Sequence, residues 1–178
     1  MRRSRVMIIG AVDAGKSTLT HALLKRTEKA SKTQALTFKD WIVDTPGEYT
    51  ENPMFYKTIM VTMMEVTHVL FLQDATNPKT IFPPGFSSGI PKLCIGVVSK
   101  IDAPQANVER ALRQLKSALV KGPIIQTSAK EGVGIAELEE LIQCRSYEAM
   151  QQYVQNSAYP GLLFHPEPPL QNIKKDLK

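Results

Sequence analysis

The residues with the most evident chemical role form the segment Gly10-Ala11-Val12-Asp13-Ala14-Gly15-Lys16-Ser17, which matches G-x-x-x-x-G-K-[ST]. Loops of this pattern wrap backbone N–H groups around phosphates at the start of a helix, where negative charge is favoured. We expect Lys16 to reach the β- and γ-phosphates of a nucleotide and the Ser17 hydroxyl to bind Mg²⁺. The alternative, a glycine-containing turn that simply enters a helix, needs all the fixed letters by accident. The expected phosphate contacts are Gly10, Ala11, Asp13, Ala14, Gly15, Lys16, Ser17 and Thr18.

A candidate metal carboxylate, Asp44, stands at the end of an apolar segment in Asp44-Thr45-Pro46-Gly47, 27 residues after Ser17. In nucleotide-hydrolysing proteins with such a phosphate loop, a carboxylate at this place holds Mg²⁺, here expected to act through water. The backbone N–H of Gly47 is expected to meet the γ-phosphate. An Asp before Pro-Gly could also simply begin a turn. The motif therefore indicates a metal site mainly because of its position after the phosphate loop.

Two further motifs are suited to reading a nucleotide base. Ser99-Lys100-Ile101-Asp102 stands where GTPases carry N-K-x-D, whose Asp accepts hydrogen bonds from the ring amide and exocyclic amine of guanine. Adenine presents the wrong donors, and an unpaired buried carboxylate would cost about 2 kcal/mol. Thr127-Ser128-Ala129-Lys130 stands where GTPases carry an S-A-K loop that touches the base oxygen. Lys130 alone could be an ordinary exposed lysine.

The elements that must position these motifs alternate between apolar strands and helices. Expected strands are 5–9, 36–38, 41–44, 69–72, 93–98 and 123–127, with Lys39-Asp40 as a tight hairpin turn. Expected helices are 16–25, 54–65, 108–119 and 138–142. This order predicts an α/β domain, doubly wound, with a mostly parallel six-stranded sheet and flanking helices. The proline- and glycine-rich segment 75–91 argues against a regular crossover helix, so the fold is expected to be shortened between the fourth and fifth predicted strands.

Length and composition limit the remaining possibilities. The 178 residues suit one domain, expected at 1–155, followed by a proline-rich tail at 156–178 that is expected to pack little or to be mobile. Within the tail, 170–178 has the spacing of a short amphipathic helix. No apolar run approaches the roughly 20 residues of a membrane span, and a cleaved leader would remove the phosphate loop. The net charge of +5 is spread along the chain, which disfavours a nucleic-acid partner. Cys94, in an apolar strand, and Cys144, in a helix, are expected to be reduced thiols of a cytoplasmic protein.

Residues 5 to about 145 resemble the EutP/PduV family, small Ras-like GTPases associated with bacterial microcompartments in ethanolamine and propanediol utilisation. The resemblance rests on the phosphate loop, Lys32-Thr33-Gln34-Ala35, Asp44-Thr45-Pro46-Gly47-Glu48-Tyr49 and Ser99-Lys100-x-Asp102. It implies a P-loop NTPase fold of the Ras-like G-domain type. It also implies that Thr33 is the switch threonine that binds Mg²⁺ and senses the γ-phosphate, with Thr37 as the alternative. The implied catalytic residues are Lys16, Thr33, Gly47 and Glu48, and the implied metal ligands are Ser17, Thr33 and Asp44.

Three positions depart from the usual GTPase pattern. Ser99 replaces an Asn whose amide ties the base loop to the phosphate loop, so we expect that tie to be lost and guanine discrimination to be modest. Glu48 replaces the water-orienting Gln, and repulsion from the γ-phosphate predicts slow hydrolysis. Asp13 occupies the place of an Asn in potassium-activated GTPases. It could bind K⁺ or face solvent, and solvent is the favoured interpretation.

The resemblance leaves three functions open. The first is a Mg²⁺-dependent GTP-binding protein that hydrolyses GTP slowly to GDP and acts through its switch loops. The second is an ATP-dependent acetate kinase, as has been proposed for the ethanolamine branch of the family. The third is a non-enzymatic positioning or assembly factor, with a microcompartment shell or an enzyme as partner. The helix expected at 170–178 resembles peptides that dock cargo on such shells, but docking on its own domain or simple disorder is the favoured interpretation.

Overall fold

The structure is a computed structural model that describes residues 4–30, 41–45 and 51–167, with the backbone alone for 27–30 and 44. Within these residues the sheet has six strands, in the order β2-β1-β3-β4-β5-β6. The strands are β1 (Val6–Gly10), β2 (Ile42–Asp44), β3 (His68–Asp74), β4 (Leu93–Ser99), β5 (Gly122–Gln126) and β6 (Leu162–His165). The first five are parallel, and β6 runs antiparallel to β5.

Helices cover both faces of the sheet, and the central strands are accordingly buried at nearly every position rather than at alternate ones. The described α-helices are α1 (Lys16–Ala30), α2 (Tyr56–Met63), α3 (Val108–Ala118), α4 (Ile135–Gln143) and α5 (Tyr147–Asn156). Alternate residues of β1 therefore enter different cores. Ile8 joins the core that contains Leu23 of α1, Leu141 of α4 and Met150 of α5. Ile9 joins the core on the other face, with α2 and α3.

The expected fold is confirmed, and so is its shortened part. Between β3 and β4 the structure has only a short 3-10 helix, Phe86–Gly89. Two aromatic rings of this segment, Phe82 and Phe86, cover β3 where a crossover helix would lie. Phe71 of β3 packs edge-on against Phe82 and Phe86, with ring centroids 5.1 and 5.9 Å apart. Prolines break the helix here, and aromatic packing replaces the apolar face that the helix would supply.

The expectation that residues beyond 155 pack little is wrong for those the structure describes. The short apolar run in β6 pairs with β5, and Phe164 is 5% exposed. Just before it, the Tyr159 hydroxyl donates to the Gln126 carbonyl at 2.8 Å. The prolines around this strand mark an edge strand rather than a loose tail. The expected amphipathic helix at 170–178 lies outside the described residues, and where the domain ends stays a prediction.

One smaller expectation is wrong, and another falls on residues that the structure does not describe. Cys144 does not lie in a helix but directly follows α4. Both Cys94 and Cys144 are free, as expected. The hairpin partner 36–38 lies outside the described residues, whereas Ile42–Asp44 forms β2 and pairs in parallel with β1. None of the described helices is long and apolar enough to cross a membrane.

Candidate functional site

The phosphate loop joins β1 to α1 and lies tightly against β3. A Cβ atom on Gly10 would come within 2.9 Å of the Leu72 carbonyl oxygen, so only glycine fits there. Gly15 has a φ of 101° and Asp13 a φ of 61°, both in the left-handed region. Such a backbone turns successive N–H groups inward and forms a concave anion-binding surface. The Asp13 residue itself is exposed.

Lys16 is held over this loop although it begins a helix. Its Nζ donates to the carbonyl oxygens of Gly10 at 3.1 Å and Ala11 at 2.7 Å. The residue is only 8% exposed, so its charge lies in a partly desolvated place. An ammonium group can donate three hydrogen bonds. Because the Lys16 ammonium lies beside the first residues of the loop, it is suited to contact the β- and γ-phosphates.

Ser99 corrects the sequence-based expectation about the link between the two loops. At the end of β4, its Oγ donates to the Ala14 carbonyl at 2.7 Å and is buried. The tie expected to be lost with the Asn amide is therefore present in another form. The tie was expected to be lost because Ser99 lacks the amide of the Asn that most GTPases carry at this position. The serine hydroxyl suffices because the end of β4 lies directly beside the phosphate loop.

Lys100 makes a second link between the base loop and the phosphate loop. It has a φ of 60°, and its Nζ donates to the Asp13 carbonyl at 2.6 Å and to Asp74 Oδ2 at 2.6 Å. The lysine stem passes over Gly15, because its Cε would lie 3.8 Å from a Cβ at that position. A Cβ there would make only an ordinary contact with this stem, so it is the φ of 101° that favours glycine at position 15.

Asp74 is a site residue that the sequence reasoning missed. It ends β3 and is buried, and Oδ1 accepts from both the N–H and the hydroxyl of Thr76, each at 2.7 Å. Burial alone would raise its pKa, but the hydrogen bonds from Lys100 and Thr76 outweigh burial and lower the pKa of this carboxyl. Asp74 is therefore ionised at neutral pH and fixes the Lys100 ammonium. The available signal was an Asp directly after an apolar strand, the same signal that singled out Asp44.

The remaining base residues are brought together at the ends of β4 and β5. The Ile101 N–H donates to the Thr127 carbonyl at 3.3 Å, which joins the two loops that carry Asp102 and Ser128. Ser128 is buried and pairs with Val133 through two backbone hydrogen bonds of 3.0 Å. Asp102 and Lys130 are exposed, and Ala129 is half-buried. The expected roles of these residues toward guanine stay predictions.

The expected metal ligands lie on the other side of the phosphate loop. Ser17 is exposed in the first turn of α1, and Asp44 lies opposite Ile8 in the register of β1 and β2. The Thr45 hydroxyl donates to the Ile8 carbonyl at 2.7 Å and fixes the chain after Asp44. A hydroxyl and a carboxylate at one edge suit Mg²⁺, which is bound by few protein oxygens together with substrate phosphates. The described residues contain no cluster of three or more His, Cys, Asp or Glu that could hold a metal ion. Thr33, Thr37, Gly47 and Glu48 lie outside the described residues.

Glu51 is a second residue that sequence reasoning missed. Its Oε1 accepts a hydrogen bond of 2.9 Å from the backbone N–H of Val12 in the phosphate loop. The two residues are separated by 39 positions in the chain, and no local sequence pattern predicts such a contact. The carboxylate approaches one of the N–H groups of the anion-binding loop.

Comparison with known proteins agrees with this geometry. A family model described as "Ethanolamine utilisation - propanediol utilisation" matches residues 3–144. The chain belongs to the PduV-EutP family. It is 31% identical over 140 residues to the "Probable acetate kinase EutP" of Escherichia coli, covering 78% of this chain and 88% of that protein. It is 32% identical over 137 residues to the propanediol utilization protein PduV of Citrobacter freundii, covering 75% and 89% of the two chains.

PduV-EutP proteins share their fold with translation GTPases. Translation initiation factor IF-2 of Petrotoga mobilis is 33% identical over 161 residues, which is 77% of this chain and 22% of that protein. The site described above and this similarity agree on a P-loop GTPase fold, with the phosphate loop, base loops and Asp44 at the carboxyl edge of the sheet.

Proposed function

We propose that this PduV-EutP protein binds guanine nucleotides with Mg²⁺ and hydrolyses GTP slowly in the service of ethanolamine or propanediol utilisation. One observation carries the proposal. The loop with Asp102 is tied to the phosphate loop twice, through Ser99 Oγ to Ala14 and through Lys100 Nζ to Asp13. Base and phosphate contacts are thereby held at a fixed distance, as recognition of a whole nucleotide requires.

The chemistry of this site is positional and electrostatic. Lys16 and the loop N–H groups would neutralise the charge that develops between the β- and γ-phosphates. Ser17, Asp44 and Thr33 would hold Mg²⁺, which supplies further positive charge on the same oxygens. Asp102 would accept hydrogen bonds from guanine, and Ser128, Ala129 and Lys130 would flank the base oxygen. Glu48 would stand at the water-orienting position, where its charge opposes fast hydrolysis.

A specific observation favours a second candidate. Relatives at 31–32% identity are named "Probable acetate kinase EutP", which describes phosphoryl transfer from ATP to acetate. The phosphate loop serves either reaction, so only the base and the acceptor distinguish them. Asp102→Asn discriminates on the base side. In a guanine site it should shift preference from GTP toward xanthosine triphosphate, whereas an adenine site would show no such shift.

Turnover with and without acetate separates the two candidates. For a GTPase without an activator we expect hydrolysis at about 10⁻⁴–10⁻² s⁻¹, unchanged by acetate. Acetyl phosphate formed from ATP at a higher rate would replace the GTPase proposal by the kinase. Glu48→Gln should raise GTP hydrolysis or leave it unchanged, and a large loss would show that Glu48 positions the water. Exchange of Na⁺ for K⁺, in wild type and in Asp13→Ala, tests the solvent-facing role of Asp13.

The family also motivates a proposal about location. We expect a cytoplasmic protein that docks on a microcompartment shell or on an enzyme partner, with nucleic acids and membranes excluded as partners. Since β6 belongs to the sheet, a docking peptide would have to lie in 168–178. These residues fused to a fluorescent protein should form foci in compartment-forming cells. A diffuse signal, with the full-length protein still localised, would show that the tail does not direct the protein to the compartment.

A further inference from the structure

The carboxylate of Glu51 lies at the phosphate-binding end of the loop. Val12 directly follows Ala11, whose carbonyl accepts the 2.7 Å hydrogen bond from Lys16 Nζ. The lysine head group of such a loop reaches the β- and γ-phosphates. The Val12 N–H is therefore at the end of the loop where the terminal phosphates of a nucleotide would bind, and Glu51 Oε1 occupies that donor at 2.9 Å.

A γ-phosphate and this carboxylate compete for the same place. Both are anions that accept hydrogen bonds from backbone N–H groups, and like charges at close range repel each other. A diphosphate extends less far along the loop and leaves the contact in place. The contact should therefore oppose the binding of a triphosphate more than that of a diphosphate.

Glu51 directly precedes a segment that is held in place by a helix cap and by buried side chains. The Asn52 side chain accepts from the Met54 N–H at 3.0 Å and caps the 3-10 helix Pro53–Phe55. That helix continues directly into α2, which is anchored by the buried residues Ile59 and Met63. The carboxylate therefore leaves Val12 either by rotation of its side chain or by a shift of this capped segment.

We propose that Glu51 is a specificity-determining residue that lowers the affinity for nucleoside triphosphate relative to diphosphate by competing for the Val12 N–H. The inference rests on the proposed nucleotide site. It gives the segment before α2 a means of sensing the terminal phosphate, because the triphosphate form must displace the Glu51 contact.

Calorimetric titration tests the proposal with GDP and a slowly hydrolysed GTP analogue, and in parallel with ADP and the matching ATP analogue. Glu51→Ala should tighten triphosphate binding about tenfold and change diphosphate binding less than about twofold. Glu51→Gln removes the charge but keeps an acceptor for the N–H, so it should give part of that gain. Glu65→Ala is the matched control, because Glu65 is an exposed carboxylate before β3 at the opposite edge of the sheet.

The outcomes separate this inference from the proposed function. Equal changes in diphosphate and triphosphate affinity, or none, would overturn the role of Glu51 while leaving the nucleotide site intact. A wild-type protein that binds neither nucleotide pair would overturn the proposed function and this inference together. If Glu51→Ala does not fold, as judged by its thermal unfolding, the isosteric Glu51→Gln variant decides the matter. No gain in triphosphate affinity in Glu51→Gln would then reject the competition.

Discussion

The two edges of the sheet both bury polar side chains, but they use them in different ways. At the amino edge, the Ser4 hydroxyl donates to the Ile142 carbonyl at 2.8 Å, and His68 Nε2 lies 3.0 Å from the Cys144 carbonyl. The Tyr147 hydroxyl ties α5 to the start of β4, because it accepts from the Cys94 N–H and donates to the Lys92 carbonyl. These groups are neutral and tie helices to strand ends.

At the carboxyl edge the buried groups include two charged side chains, and the backbone is strained. Lys16 and Asp74 are both less than 9% exposed, and Asp74 pairs with Lys100. Among the described residues, the non-glycine positions with positive φ are Asp13 and Lys100, both at this edge. Strained backbone and buried charge cost free energy and persist where function uses them. The difference indicates that the amino edge maintains the fold, whereas the carboxyl edge has the features expected of an anion-binding site.

The strongest way to break this comparison is Lys16→Ala. Loss of a charge that is partly desolvated against phosphates should weaken both GDP and GTP binding by at least about 100-fold. Thermal unfolding of the free protein should change little. Lys121→Ala is the matched control, because Lys121 lies over the Tyr147 ring at 5.4 Å near the amino edge. Unchanged triphosphate affinity in Lys16→Ala would refute the assignment of the phosphate site.

A pH titration of stability tests the amino edge. Burial lowers the pKa of His68 from 6.5 to about 4, so the folded state holds this side chain neutral. Its contribution to stability is complete above pH 6.5 and is lost as the pH falls toward 4, by about 2–3 kcal/mol. Burial also lowers the pKa of His165, which acts in the same direction. Denaturant unfolding of wild type and His68→Gln between pH 7 and 4 should show a smaller slope in the variant. Equal slopes would contradict a neutral, structural His68.

Asp74→Asn sharpens the comparison at the carboxyl edge. The variant removes the charge that fixes Lys100, although its amide oxygen can still accept from Thr76, so nucleotide affinity should fall about tenfold. Glu139→Gln breaks the exposed ion pair with Arg26, whose atoms are 3.0 Å apart, and should leave affinity unchanged. An equal loss of affinity in both variants would show that the effect is not specific to the site.

The smallest expected effects come from a matched pair of serines. Ser99→Ala removes the hydrogen bond to Ala14 and should weaken nucleotide binding about fivefold. Ser4→Ala removes a comparable buried hydrogen bond at the amino edge. It should lower the free energy of unfolding by about 1 kcal/mol without affecting binding. Because the Ser99 tie is present, Ser99→Asn is not expected to tighten GTP binding, and a gain would show that the serine is a poor substitute.

The sequence predicted the fold and the turn between β1 and α1 well because both have local signals. Continuous apolar runs indicate buried parallel strands, and the spacing from Gly10 to Ser17 indicates the loop. Contacts between distant segments could not be predicted in the same way. The Ser99 bond to Ala14, the Lys100 pair with Asp74 and the Glu51 contact depend on how strand ends meet in space.

The missed edge strand has a different cause. Leu162-Leu163-Phe164-His165 is short, and the nearby prolines indicated a loose tail. Pairing with β5 overrides that local signal, since an edge strand tolerates proline beside it. Tertiary contact decided the structure of this segment, as it decided the link between the base and phosphate loops.

The central claim is that the carboxyl edge recognises a guanine nucleotide. The most direct test is a competition measurement in which unlabelled GDP, GTP, ADP and ATP displace fluorescent GDP from the wild-type protein with Mg²⁺ present. We predict that the guanine nucleotides displace the label and that the adenine nucleotides do so only at much higher concentration. Equal or better displacement by ATP would contradict the claim and favour the kinase.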